Sequence, residues 1–174
     1  MGIQFETDYN METLTAMAKG LRKTVRKKRS RRVHIFAAVV LILGLLTILA
    51  TTAGGEPLGA SGVVTLLALL VVILVSLFED RLNAWFARKR LLPGTEHAAA
   101  TFEENGYVSA TGVTESRFSY AQIVAVAETA RYFVFALSSH HTQAYDKRTI
   151  RGGSVEDFRA FIAEKTGKLV EKIK

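Results

Sequence analysis

The sequence predicts an α+β membrane protein in which a two-helix transmembrane hairpin precedes a small antiparallel-sheet domain with a C-terminal capping helix. Residues 33–53 and 60–78 are apolar runs in which His34, at one edge, is the only ionisable side chain. A helix of 21 residues, the length of the first run, reaches about 31 Å, which matches the hydrocarbon core of a bilayer. After Pro93-Gly94 the apolar residues recur at every second position, as they do in half-buried strands. The runs therefore predict the hairpin, and the change of period predicts the sheet.

These features divide the chain into four segments. Gly54-Gly55 and Pro57 interrupt the helical pattern between the two runs and predict the turn of the hairpin. A buried helix pair in a soluble core is the alternative, but both runs are apolar on all faces rather than on one. The segments are an N-terminal strand and basic amphipathic helix (1–32), the transmembrane hairpin (33–78), a juxtamembrane helix (79–92) and a cytosolic sheet-plus-helix domain (93–174).

The first segment begins as a strand and continues as a helix. Ile3 and Phe5 alternate with polar residues, and a strand this short must pair with a sheet formed later in the chain. Thr7 or Asp8 is expected to cap the following helix, which we expect to run into the basic stretch before the first span. The apolar positions of that helix recur at steps of three and four: Met11, Leu14, Met17, Ala18, Leu21 and Val25.

Basic residues flank the hairpin on both of its outer sides. The turn between the spans holds Glu56 and no Lys or Arg, so the positive-inside rule places both termini in the cytoplasm and the protein in the cytoplasmic membrane. Trp85 and Phe86 are expected at the lipid interface. Each Lys or Arg near the surface attracts anionic headgroups by about 1 kcal/mol. We expect headgroup contacts from Arg22, Lys23, Arg26, Lys27, Lys28, Arg29, Arg31, Arg32, Arg88, Lys89 and Arg90.

Six short segments rich in Val, Phe, Tyr and Thr predict the strands of the sheet. Asn105-Gly106 predicts a type I′ hairpin turn. Ser154 and Asp157 predict the capping box of a helix that ends at Gly167, followed by a charged tail with a further helical turn. A bent antiparallel sheet closed by one C-terminal helix is the build of pleckstrin-homology-like (PH-like) domains. The predicted strands are Ala98–Glu104, Tyr107–Thr111, Val113–Phe118, Ile123–Thr129, Arg131–Ser138 and Thr142–Lys147.

Four short motifs accompany this layout: Phe118–Ile123 (FSYAQI), Glu128–Phe133 (ETARYF), Asp146–Arg148 (DKR) and Val155–Arg159 (VEDFR). The motifs and the layout resemble the YcxB-like family of bacterial membrane proteins. In that family the third motif usually reads Pro-Lys-Arg followed by an aromatic residue, and Asp146 and Ile150 depart from that pattern. The resemblance implies a PH-like C-terminal domain in a bacterial inner membrane, and no established activity.

One polar cluster is a candidate ligand site. Lys147, Arg148 and Arg151 follow the last predicted strand and could hold a phosphate or an acidic lipid headgroup. The alternatives are simple exposure of these cations, or a salt bridge from them to Glu128 or Asp146. Glu128 lies inside an apolar strand and is expected to form a structural ion pair with Arg131 or Arg148.

Other features argue against several kinds of site. The chain has no cysteine, which excludes thiol chemistry and disulfides. His140-His141 lacks further ligands and is expected in an exposed turn, so we expect no metal and no cofactor. The segment from residue 91 onward carries ten basic and ten acidic residues, which argues against nucleic-acid binding. No charge lies in the middle of either span, so no ion path is indicated.

The sequence therefore favours a non-enzymatic, membrane-anchored interaction module that holds its PH-like domain at the membrane surface. Expected partners are anionic membrane lipids and either another protein or a second copy of the chain. Two alternatives remain. One is a domain that binds, or acts on, a lipid headgroup or lipid-like ligand through Lys147 and Arg148. The other is an accessory subunit of an oligomeric membrane complex.

Overall fold

The computed structural model describes residues 2–55 and 57–173, so Glu56 in the predicted turn lies outside the described residues. The chain folds into five α-helices and eight β-strands within these ranges. They are β1 (Ile3–Asp8), α1 (Met11–Lys23), α2 (Lys27–Ala53), α3 (Ala60–Leu77), α4 (Glu79–Lys89), β2 (His97–Phe102), β3 (Tyr107–Thr111), β4 (Glu115–Phe118), β5 (Ala125–Glu128), β6 (Tyr132–Ala136), β7 (Thr142–Asp146), α5 (Val155–Thr166) and β8 (Val170–Lys172).

The strands form two four-stranded sheets, one in the order β1-β2-β3-β4 and the other in the order β7-β6-β5-β8. All neighbours are antiparallel except β8, which runs parallel to β5. The N-terminal strand pairs with β2 along its whole length, from Ile3 opposite Phe102 to Asp8 opposite His97. This confirms the prediction that the first strand pairs with a sheet formed later. The first sheet therefore contains one strand that precedes the apolar helices α2 and α3 in the sequence and three strands that follow them.

Aromatic side chains from both sheets fill the space between them. Phe5, Phe102, Phe133 and Phe135 are each at most 1% exposed, and Phe158 of α5 packs against them. Burying one such ring stabilises a fold by roughly 2–3 kcal/mol. The first turn of α5 is fixed as predicted, because Ser154 Oγ accepts from the Asp157 amide and Asp157 Oδ2 accepts from the Ser154 amide, both at 3.0 Å. Helix α5 therefore caps the core between the two sheets.

Helix α1 packs on the outer face of the second sheet. Its Ala16 joins a small buried cluster with Ala127, Tyr132, Val134 and Ala144. A further residue of α1, Gly20, is buried against Val134 of β6, and its lack of a side chain allows close approach of the helix axis to the strand. Because one face of β6 meets the aromatic core and the other meets α1, all five residues of this strand are buried.

Helices α2 and α3 are long and apolar enough to cross a membrane. They pack against each other, yet almost all of their side chains are exposed within the chain itself. The contact between them includes Leu69, which is 6% exposed and lies against Gly44. We call α2 and α3 together the apolar hairpin.

Several local predictions are wrong. The helix cap is Asn10 rather than Thr7 or Asp8, since Asn10 Oδ1 accepts from the amides of residues 12 and 13. The first helix enters the basic stretch as predicted, but it ends inside that stretch at Lys23, and a second helix, α2, begins at Lys27. Neither Asn105 nor Gly106 has a positive φ, so their turn is not type I′.

The C-terminal tail also differs from its prediction. Val170–Lys172 forms strand β8 beside β5 instead of a helical turn. Its pattern of apolar residues fits either structure, and the open edge of β5 decides between them. The amide of Ile173 donates to the carbonyl of Glu128 at 2.8 Å and extends this pairing.

Candidate functional site

The base of the folded domain is held to the apolar hairpin by a contact between α1 and α4. Arg22 donates to both carboxylate oxygens of Asp80, with Nε 2.7 Å from Oδ1 and Nη2 2.6 Å from Oδ2. Ala84, one turn later in α4, is completely buried at this contact. Helix α1 precedes the apolar hairpin and α4 follows it directly. The Arg22–Asp80 pair therefore joins the two segments of the chain that flank the hairpin.

A cavity of about 640 Å³ lies beside this contact, between α1, α2 and α4. Four of the eleven cations predicted to meet lipid headgroups line it: Arg22, Arg26, Arg29 and Arg90. The other seven do not line it: Lys23, Lys27, Lys28, Arg31, Arg32, Arg88 and Lys89. Apolar side chains of both helical elements, including Val33 and Phe86, complete the wall. The fold therefore divides a basic flank that is uniform in the sequence into cations that line the cavity and cations that do not.

Arg26 connects this cavity to the second sheet. Its Nε donates to the carbonyl of Ser139 at 2.7 Å, and its Nη2 lies 3.0 Å from His140 Nδ1. The turn between β6 and β7, which contains His140 and His141, is exposed, and His140 lines the cavity. Sequence reasoning missed His140 as a neighbour of the basic flank, because no local signal connects residues 26 and 140.

One acid, Glu79, also lines the cavity and was not singled out in the sequence. Its Oε2 is buried and has no hydrogen-bond partner among the described residues. The same oxygen lies 3.8 Å from Arg22 Nε and 3.7 Å from His34 Nε2, beyond hydrogen-bonding distance. A buried carboxylate oxygen without a hydrogen-bond donor is costly, so the cavity contains an acceptor that a ligand donor would satisfy.

The second candidate cluster, centred on Glu128, is an ion pair rather than one open site. Glu128 is paired not with Arg131 or Arg148 but with Lys147 and Arg159. Lys147 Nζ lies 2.9 Å from Oε1, while Arg159 Nε lies 2.7 Å from Oε2 and its Nη2 lies 2.8 Å from Oε1. The hydrogen bond from Arg159, helped by Lys147, lowers the pKa of Glu128 to about 2 against the opposing effect of burial.

The other cations of that predicted cluster lie apart from Glu128. Arg148 donates to Asp146 two residues away, with Nη2 3.0 Å from Oδ2, and Arg151 lies 3.4 Å from Glu6. Arg159 was missed as a partner, although it falls within one of the motifs that carry the family resemblance. The structure thus brings Glu128 and Lys147 together and leaves Arg148 and Arg151 elsewhere on the surface.

A more open groove of about 1060 Å³ runs between α1, the β5–β6 turn and β8. Ala16 and Ile173 contribute apolar surface, and Lys19, Arg81 and Lys172 are among its charged lining residues. Glu128 and Lys147 also line the groove, but each neutralises the other. Within the described residues, no group of His, Asp and Glu side chains is arranged to hold a metal ion.

Comparison with known proteins assigns the central part of the folded domain. A family model described as YcxB-like protein matches residues 102–162, which include Glu128, Lys147 and Arg159. No curated protein and no solved structure matches the chain. The family match confirms the resemblance drawn from the sequence motifs, and residues 102–162 are a YcxB-like domain.

Proposed function

We propose that the protein is a non-enzymatic, membrane-anchored interaction module that holds a PH-like domain at the cytoplasmic surface of the membrane. The observation that carries this proposal is the position of the apolar hairpin inside the domain. Strand β1 and helix α1 precede the hairpin, strands β2 to β8 follow it, and β1 pairs with β2. The domain is therefore attached at both ends of the hairpin rather than through one flexible linker.

The dimensions of the hairpin support two membrane spans. Helix α3 has 18 residues and reaches about 27 Å, while the part of α2 from Val33 to Ala53 reaches about 31 Å. Their apolar side chains are exposed on the outside of the chain. Exposing so much apolar surface to water is unfavourable, whereas exposing it to lipid is not. The basic residues of α2 and α4 lie at the domain end of the hairpin, which supports a cytoplasmic domain by the positive-inside rule.

The arrangement of strands supports a PH-like description of the domain. Two four-stranded sheets, antiparallel except for β8, face each other over an aromatic core, and α5 closes one end. In this chain the apolar hairpin separates the first strand from the rest, and β8 adds a parallel strand beside β5.

The non-enzymatic part of the proposal is supported by the state of the best candidate acid. Glu128 has a pKa of about 2 and is held by two cations, so it cannot exchange a proton near neutral pH as a general acid or base must. Its geometry is that of a structural ion pair that joins β5, α5 and the end of β7.

Substituted-cysteine labelling tests the topology directly, because the chain contains no cysteine. Ser116→Cys places a thiol on exposed β4 of the domain, and Gly59→Cys places one between the spans where a side chain meets no neighbour within 4 Å. A membrane-impermeant maleimide should label Gly59→Cys in intact spheroplasts and Ser116→Cys only in inverted vesicles. Labelling of both from outside, or recovery of the protein in a detergent-free supernatant, would overturn the proposal.

The partner itself is accessible to a second measurement. Light scattering of the detergent-solubilised chain separates a self-associating module, which forms a defined oligomer, from a monomer that requires a different protein. Cross-linking in native membranes, followed by purification, then identifies a partner that belongs to a larger complex, as an accessory subunit would.

A further inference from the structure

We propose that the cavity between α1, α2 and α4 binds the headgroup of an anionic glycerophospholipid, one that combines a phosphodiester with a hydroxyl donor. This inference rests on the membrane anchoring proposed above and adds the ligand class and the residues that recognise it. The phosphodiester lies against Arg26, Arg29 and Arg90, the headgroup hydroxyl donates to Glu79 Oε2, and the acyl chains leave along Val33 and Phe86.

The charges of the cavity select an anion. Of its four arginines, Arg22 is occupied by Asp80. Arg26, Arg29 and Arg90 form no ion pair with a carboxylate anywhere in residues 2–55 and 57–173. Arg26 is partly occupied, because its Nε and Nη2 contact Ser139 and His140. Guanidinium groups bind phosphate oxygens through paired, charge-assisted hydrogen bonds, so Arg29, Arg90 and the remaining N–H donors of Arg26 are suited to a phosphate.

Glu79 Oε2, which lacks a hydrogen-bond donor, restricts further which anionic ligands fit the cavity. A cavity built only for phosphate would gain nothing from a carboxylate, which repels the ligand. Glu79 Oε2 is nevertheless buried at the cavity and lacks a hydrogen-bond donor, since Arg22 Nε at 3.8 Å and His34 Nε2 at 3.7 Å are too distant to donate. A headgroup that carries a hydroxyl beyond its phosphate supplies that donor, whereas a simple phosphate monoester does not.

The walls of the cavity fit an amphiphile at the membrane surface. Arg29 and Val33 are four residues apart on α2, which places them on the same face about 6 Å apart along the helix axis. The lining thus changes from charged to apolar within one turn, at the point where the apolar run begins. The cavity volume of about 640 Å³ is in the usual range for small-ligand sites.

Two cations that do not line the cavity provide a matched control. Lys28 and Arg31 belong to the same basic stretch as Arg29 and are exposed, as Arg29 and Arg90 are, but they do not line the cavity. The variant R29Q/R90Q and the variant K28Q/R31Q remove the same charge. General attraction to an anionic surface would weaken equally in both, whereas a built site would weaken only in the first.

The test uses the full chain in nanodiscs of phosphatidylcholine, with phosphatidylglycerol added as the probe and bound lipid measured by native mass spectrometry. Loss of a charge-assisted contact costs about tenfold or more in affinity. We expect R29Q/R90Q to lose phosphatidylglycerol binding at least about tenfold, and K28Q/R31Q to change it less than about threefold. Equal losses in both variants would overturn the proposal.

Two further arms identify the source and the donor. Soluble glycerol 3-phosphate should not compete with the lipid, and effective competition would assign the site to a free phosphate ester instead and overturn the lipid assignment. Glu79→Leu should remove the preference for phosphatidylglycerol over phosphatidic acid, while an unchanged preference would overturn the role of Glu79.

Control measurements separate this proposal from the anchoring on which it rests. Thermal unfolding of R29Q/R90Q should match that of the parent chain, since neither arginine is ion-paired in the described structure. If the double variant unfolds early, Arg90→Gln alone replaces it in the same comparison. Resistance of the membrane-bound protein to alkaline extraction tests the two spans independently of lipid binding. If only the lipid site is wrong, the protein still resists extraction, and if the anchoring is wrong, the protein is extracted.

Discussion

Arg22 and Asp80 are joined by two parallel hydrogen bonds, although the whole apolar hairpin separates them in the sequence. Both side chains are largely covered, with 21% and 16% of their surfaces exposed. The pair therefore closes the base of the hairpin, where the chain enters α2 and returns through α4. A contact at this place determines how the domain is oriented relative to the helices.

Removing one partner of this pair should loosen the domain from the hairpin. We expect Asp80→Asn and Arg22→Gln each to lower the free energy of unfolding by about 1–2 kcal/mol, because a bidentate, partly buried pair is stronger than a surface pair. The double variant should cost less than the sum of the two, as thermal unfolding in detergent will measure in a double-mutant cycle. Strictly additive losses would show that the two side chains do not act on each other.

Gly20 should be intolerant of side chains that a helix normally favours. A Cβ atom there would lie 2.7 Å from Val134 Cγ1 and 3.0 Å from Val134 Cβ. Replacing a helical glycine by alanine usually stabilises by about 1 kcal/mol, but here the clash should reverse the sign. Thermal unfolding should show a loss for Gly20→Ala that Val134→Ala partly restores. A stabilised Gly20→Ala would contradict the close packing of α1 on β6.

The packing of α2 on α3 should depend on Gly44. A Cβ atom on this residue would lie 2.6 Å from Leu69 Cδ2, so a large side chain must separate the two helices. We expect Gly44→Ile to destabilise the detergent-solubilised protein by about 1–3 kcal/mol, measured as loss of monodisperse protein on heating. Ala68→Ile is the control, because Ala68 is exposed on α3. Equal effects of both substitutions would place the helix contact elsewhere.

The ion pair of Glu128 should make the free energy of unfolding decrease at acidic pH. Its pKa is lowered from 4.5 to about 2 in the folded state, so its contribution is complete above pH 4.5 and is lost as the pH falls toward 2. The shift corresponds to about 3 kcal/mol. Glu128→Gln should lose this stabilisation near neutral pH and flatten the dependence of the melting temperature on pH.

Glu156→Gln is the matched control for that measurement. Glu156 lies 3.7 Å from the same Arg159, but 76% of its side chain is exposed, so solvent screens the interaction. This substitution should change the melting temperature little at any pH. A parent protein whose stability is constant from neutral pH to about pH 3 would refute the assignment to Glu128.

The elements with a strong local signal could be predicted from sequence. The alternation around Ile3 and Phe5, the apolar runs and the capping box of α5 each depend on neighbouring residues, and each element forms. The place of α1 on the second sheet was not foreseen. The sequence did contain a signal for this packing. The uninterrupted apolar run at 132–137 indicates a strand that is covered on both faces.

The candidate sites were harder to predict because their partners are distant in the sequence. Glu128 could be recognised as a buried acid that needs a cation, but local spacing favoured Arg131 over Arg159, which belongs to α5. Likewise, nothing in the basic flank distinguishes Arg29 from Lys28 until α1, α2 and α4 are packed together. The periodicity of a sequence predicts which side chains share a face of one helix or strand, but not which side chains of distant elements come into contact.

The insertion of the hairpin between β1 and β2 has a consequence for biogenesis. During translation, β1 and α1 leave the ribosome before either apolar helix, while their partners β2 and β6 emerge only afterwards. With the membrane anchoring proposed above, we expect the domain to complete its core only after both helices have entered the bilayer and α4 has returned to α1. A chain that fails to insert would then keep the apolar face of α1 uncovered, and we expect proteases to remove it before a stable, unanchored domain can accumulate.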